Sequence, residues 1–119
     1  MNRDGIRALI LDTLNNDIKV YPDYVPERKP LPAITYTHIA NNSDRRLDGD
    51  KTGGRDSYRI RVISESRSEG DAIIDQLQSM DNTSNDNFKN IFVLTVTDNI
   101  ADPDDRTFMA FVDIQVFNR

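Results

Sequence analysis

Tyr58-Arg59-Ile60-Arg61-Val62-Ile63-Ser64-Glu65-Ser66-Arg67-Ser68-Glu69 is the stretch on which the fold turns. Its first half alternates, which predicts a strand with Tyr58, Ile60 and Val62 on one face and Arg59 and Arg61 on the other. Its second half changes period. Ser66 followed three residues later by Glu69 fits a capping box, in which Ser66 meets free N–H groups at a helix start and Glu69 reaches back. The helix runs over 67–81 and carries Ile73, Ile74, Leu77 and Met80 on one side. A strand with one apolar and one charged face, leading straight into an amphipathic helix, describes a sheet covered on one side only.

The rest of the chain extends this unit in both directions. Residues 4–15 place Ile6, Leu9, Ile10 and Thr13 or Leu14 at helical spacing, with Asp4 as N-cap and Asn15-Asn16 as the stop. Ile18-Lys19-Val20-Tyr21 is a short strand. Pro22, Pro26, Pro30 and Pro32 then exclude a helix or a central strand, so 22–32 reads as a stiff, extended connector; its other reading is a proline ligand for an aromatic groove. Ala33 to Ala40 is a β-branched and aromatic strand, and 41–56 reads as a polar loop with turn signals at Asp48-Gly49 and Gly53-Gly54. Beyond the second helix come a polar loop at 82–90, a strand at 91–97, a turn around Pro103, and a last strand at 107–117. That strand turns Phe108, Ala110, Val112, Ile114 and Val116 to one face, and Phe111, Asp113, Gln115 and Phe117 to the other. The fold class is α+β: a two-layer, mostly antiparallel sheet of about five strands with two helices on one face, in the order α-β-β-β-α-β-β. All 119 residues are expected to form one domain.

Composition narrows the function classes. The formal charge is −5, and basic and acidic residues are mixed along the chain without a basic block, so the sequence shows no phosphate-gripping surface. There is no cysteine for disulfides or thiolate zinc. Met1-Asn2-Arg3-Asp4-Gly5 does not open a signal peptide, and no segment reads as a membrane span. Hydrophobic residues make up 37%, below the usual share for a compact monomer, which suits a small core completed by neighbours.

Candidate sites for chemistry are weak. Asp48-Gly49-Asp50-Lys51-Thr52-Gly53 begins like an EF-hand loop, but its twelfth position is Arg59 rather than Glu, and its flanks read as strands. Asp98, Asp102, Asp104 and Asp105 could hold a cation or act as acid and base, but Asp, Asn and Pro also build turns. His38 is the only histidine and reads as structural. No nucleophile elbow or phosphate loop is present. The chain is therefore expected to have no catalytic, metal or cofactor site. It is expected to work by assembly, through the mixed-sign segment Asp44, Arg45, Arg46, Asp48, Asp50, Lys51 and Arg55 and the sheet residues Arg59, Arg61 and Gln115.

Several ordered features also carry a resemblance. They are Val20-Tyr21-Pro22-Asp23-Tyr24-Val25-Pro26-Glu27, then Leu31-Pro32-Ala33-Ile34-Thr35-Tyr36, then Leu47-Asp48-Gly49 ahead of the Tyr58–Ile63 strand and the helix capped at Ser66. Together they resemble the tail-terminator family of long-tailed bacteriophages, also called tail-completion or tail-to-head joining proteins. The polar loop 82–90 departs from that pattern. The resemblance implies a virion protein without catalytic residues or cofactor. Its members form a ring, six-fold in this reading, that caps the tail tube, stops its polymerisation and docks to the head connector. The implied partners are further copies of the chain, the major tail tube protein and the head–tail connector proteins. DNA passes through such a ring without specific binding, and no membrane is involved. The implied place is the head-proximal end of the tail, reached from the host cytoplasm during assembly. The alternatives are a head-completion or connector-adaptor protein, a small ligand-binding module on the open sheet face, and a hydrolase using the Asp98–Asp105 cluster.

Overall fold

The structure is a computed structural model. It describes residues 3–15, 18–25, 30–45, 51–102 and 107–118, without the side chains of Arg3, 40–45, 51–53, 98, 99 and 102. The elements are α1 (Arg3–Thr13), β1 (Lys19–Pro22), β2 (Ala33–Arg45), β3 (Lys51–Ser64), α2 (Arg67–Gln78), β4 (Phe88–Asp102) and β5 (Thr107–Asn118). The strands form a five-stranded sheet in the order β1-β2-β3-β5-β4. β1 runs parallel to β2, while β2–β3, β3–β5 and β5–β4 are antiparallel. The α+β architecture and its element order are those expected from the periodicities.

Both helices lie on one face because the apolar alternation of every strand points there. Tyr58, Ile60 and Val62 of β3 and Ala110, Val112, Ile114 and Val116 of β5 are buried, together with Ile34 and Tyr36 of β2. They form one cluster with Ile6, Ile10 and Leu14 from the α1 segment and Ile73, Ile74, Leu77 and Met80 from the α2 segment. β5 lies between β3 and β4, so its even-numbered residues sit at the middle of this core. The Pro-rich connector returns the chain to start β2 alongside β1, which makes β1 an edge strand, where Pro22 costs no interior ladder bond.

The helix boundaries follow local chemistry. α1 begins at Arg3, so Asp4 lies in the first turn rather than at the cap, where its carboxylate faces the positive end of the helix dipole. Asn15 takes φ 57°, the left-handed conformation that ends a helix. Ser66 is the α2 cap: its Oγ accepts from the Glu69 N–H at 3.2 Å. Ser66→Ala should therefore lower stability by about 1 kcal/mol, read from denaturant melts. α2 stops at Gln78, earlier than the 81 suggested by Met80, which is buried from the turn that follows.

Two expectations about loops are corrected. Residues 41–45 and 51–56 are not loop: they continue β2 and β3, and register pairs run out to Arg45↔Lys51. Backbone pairing needs no apolar side chain, so an arm that leaves the core carries no apolar alternation to read. Bulges between His38 and Ala40 and between Asn42 and Asp44 also break the period. The second correction concerns β4, which begins at Phe88 and runs to Asp102, beyond the 91–97 expected at either end. Phe88 is fully buried, and the register shifts at 88/90, 93/95 and 97/100 disrupt the alternation. Ile39 and Leu94, one in a bulge of each strand, are both exposed.

The segment 81–83 lies along the outer edge of β4. Asn82 N–H donates to Ile91 O, Ile91 N–H to Thr83 O, and Val93 N–H to Asp81 Oδ1. This occupies edge donors and acceptors that would otherwise invite another strand.

Candidate functional site: the open sheet face

Strand pairing gathers residues that are scattered in sequence. The register couples Arg61 to Phe111, Arg59 to Asp113, Ser57 to Gln115 and Arg55 to Phe117 across β3 and β5. On the far side of β5, Phe92 of β4 pairs with Gln115 and Thr97 with Phe111. These residues alternate with the buried set and therefore share the face away from the helices. Arg55, Arg59, Arg61 and Gln115, expected on an assembly face, are brought together there. Asp44 and Arg45 lie on the β2 end of the arm, and Lys51 opens β3, with their side chains outside the described residues. Arg46, Asp48 and Asp50 fall wholly outside them, as does the first half, Asp48-Gly49-Asp50, of the EF-hand-like opening. The side chains of Asp98, Asp102, Asp104 and Asp105 are outside them too.

The geometry is a layer of guanidinium groups over rings. Arg59 and Arg61 lie over the Phe111 ring at 5.2 and 5.4 Å from its centroid, and Arg55 lies over Phe117 at 5.9 Å. Phe92 meets Phe117 edge to face, with centroids 5.7 Å apart. Arg59 also makes a fork to Asp113, with Nε to Oδ1 at 2.9 Å and Nη2 to Oδ2 at 3.1 Å. That hydrogen bond, and then the charge of Asp113, raise the guanidinium pKa further, so Arg59 stays charged at any working pH. The Nε of Arg61 is buried and makes no hydrogen bond. A charged plane over an aromatic face covers apolar surface while it keeps the charge outward.

Among the described residues the face is net basic although the chain is acidic. Its described cations are Lys19, Arg55, Arg59 and Arg61, against the carboxylate of Asp113. The mixed charges along the chain do not reveal this, because the clustering comes from alternation on β3 and not from neighbours in sequence. If Arg61 acts mainly by covering Phe111, Arg61→Ala should cost the isolated fold no more than about 1 kcal/mol in a urea melt.

A second polar constellation sits at the end of the core. Asp56 is fully buried on the helix side of β3, where its Oδ1 lies 2.9 Å from His38 Nε2. Its Oδ2 accepts from Asn118 Nδ2 at 2.7 Å, and Asn118 also donates to Gly54 O at 3.0 Å. His38 packs edge to face against Tyr58, with centroids 5.2 Å apart. This ties β2, β3 and β5 together where β3 leaves β5 to become the arm. His38 is thus held in a structural clamp, as its place in mid-strand suggested. Sequence reading missed Asp56, because a buried carboxylate carries no signal of its own beside so many exposed ones.

Among the described residues there is no pocket and no group of three or more metal-ligating side chains. Among the described residues no helix is long and apolar enough to cross a membrane.

Comparison with known proteins decides the family. The family model described as "Tail completion protein gp17" matches residues 4–118, nearly the whole sequence and both layers of the fold. The chain belongs to this family. The resemblance carried by the Val20–Glu27, Leu31–Tyr36 and Leu47–Gly49 segments led to the same place. As a tail completion protein the chain is a structural component of a phage tail. A chain from a solved structure described as "Virion of native gene transfer agent (GTA) particle" has a similar fold. The TM-score is 0.52 at 12% identity, over 93% of this chain and 84% of the other. No curated protein sequence matches.

Proposed function

We propose that this tail completion protein forms a closed ring on the head-proximal end of the tail tube, stops its polymerisation and presents the surface to which the head connector docks. The observation that carries the reading is the family match over residues 4–118. The fold's likeness to a chain of a gene transfer agent virion agrees with a place in a phage-like particle. Six copies are the number implied by the resemblance to tail terminators. The partners in this reading are further copies of the chain, the major tail tube protein and the connector proteins. The chain acts as one domain, without catalysis or cofactor, and reaches the virion from the host cytoplasm.

The physical arrangement supports assembly in two ways. The open face offers aromatic and guanidinium groups, which are enriched at protein interfaces. The β2–β3 arm extends past the last residue of β5, since β3 pairs with β5 only from Arg55 onward. An arm of this kind reaches a neighbour without disturbing the core. The molecule is elongated, 54 × 24 × 22 Å.

Polymerising purified tube protein with and without this chain tests the reading. Tubes should stop growing once it is added, and tails assembled without it should fail to join heads. Continued growth at saturating protein, with normal joining in its absence, would refute it.

A further inference from the structure

We infer that the neighbour seated on the open sheet face is the outer surface of α2 from the next copy of the same chain. This rests on the ring proposed above and names the two surfaces that build it. The described cations of the open face lie around Arg59 and Arg61. α2 lies in the layer on the opposite side of the sheet, and its outward residues include Glu69, Asp71, Ala72 and Asp75. Its one cation, Arg67, lies over the Phe108 ring at 5.3 Å. Among the described residues charge is thus divided between the two surfaces, basic on the open sheet face and acidic on the outer side of α2.

The spacings agree. Arg59 and Arg61 are two residues apart on a strand, about 7 Å. Asp71 and Asp75 are four apart on a helix, about 6 Å, and stand on one stripe. Ala72 lies beside that stripe and is small enough to let the helix approach Phe111 and Phe117. Arg59 is already held in place by Asp113, so its pairing with Asp71 needs little further ordering. Arg61, whose Nε makes no hydrogen bond, stands against Asp75.

The face is large enough to seat the helix. β3 and β5 are paired from Arg55↔Phe117 to Ser64↔Phe108, a length of roughly 30 Å, and five strands span about 19 Å. α2 has 12 residues and is thus about 18 Å long and about 10 Å across, so its outer surface fits within the face and leaves room for further contacts around it. The two surfaces differ and lie on opposite sides of each copy, so the contact is head-to-tail. Such contacts close into rings when the rotation between copies allows.

The test uses charge reversal and engineered cysteines in the full chain. Arg61→Glu alone and Asp75→Arg alone should fold as the parent does by circular dichroism, yet assemble on tube ends at least about tenfold less well. A one-to-one mixture of the two should recover assembly, because every contact in an alternating ring is then complementary. The parent chain has no cysteine, so introduced thiols can pair only with each other. The double variant Arg61→Cys with Asp75→Cys should therefore give a ladder of covalent oligomers on oxidation, which either single variant cannot extend beyond a dimer. This arm holds even if a reversed charge upsets folding. The inference is overturned if the parent assembles but the cysteine ladder is absent, or if both reversals assemble normally, or if the mixture of two defective variants stays defective. The same holds if Arg61→Glu loses only binding to a single-stranded oligonucleotide and still assembles. Should the parent itself neither assemble nor cap tubes, the ring fails as well, and the two failures are told apart by that control.

Discussion

Ile114→Ala should lower the unfolding free energy by about 2–5 kcal/mol, seen as a fall in the urea midpoint without change in slope. Ile114 is fully buried at the centre of β5, with β3 on one side and β4 on the other. Its removal leaves a cavity that helices on one face and paired strands on both flanks cannot easily close. A loss of this size is a large share of the roughly 5–15 kcal/mol that holds a typical domain folded. The contrast with Arg61→Ala gives the prediction its force. Both residues lie on central strands, but they point to opposite faces. Equal losses would mean that both faces of the sheet are buried in the isolated chain, and the two-layer description would be wrong.

Asp56→Ala should cost about 3 kcal/mol. The carboxylate is fully buried and is met by His38 on one oxygen and Asn118 on the other. Removing it takes the carboxylate partner from the half-buried His38 and Asn118 side chains, and the desolvation cost of unmatched polar groups exceeds the net worth of the bonds themselves. Because the clamp joins β2, β3 and β5 at the base of the arm, the loss should also be local. Amide exchange near 54–58 and 116–118 should rise more than exchange across 110–114. A uniform rise, or a loss below about 1 kcal/mol, would show that the network is not holding the arm.

The readable parts of the chain are those where one side of an element is buried. Strict alternation in Tyr58–Val62 and in Phe108–Val116 gave both strands and both of their faces correctly, because a two-residue period cannot be met without choosing a buried side. The Ser66 cap was legible for a local reason: its hydrogen bond spans three residues. The arm was illegible because its pairing is carried by the backbone. β4 was only partly legible, since three register shifts move Leu94 and Ile100 out to solvent and blur the period. The candidate site was half legible. Alternation predicted that Arg59 and Arg61 share a face with Phe111 and Asp113, but not that Arg59 would fork to Asp113 or that the arginines would lie over rings. The His38–Asp56–Asn118 clamp joins residues far apart in sequence, and neither spacing nor composition announces it.

Electron cryo-microscopy of tail tubes assembled with this chain tests the central claim most directly. The account predicts a closed ring on one end of each tube, with the open sheet face of every copy covered by its neighbour and not by solvent. Bare tube ends, beside a chain that remains monomeric at the same concentration, would contradict it.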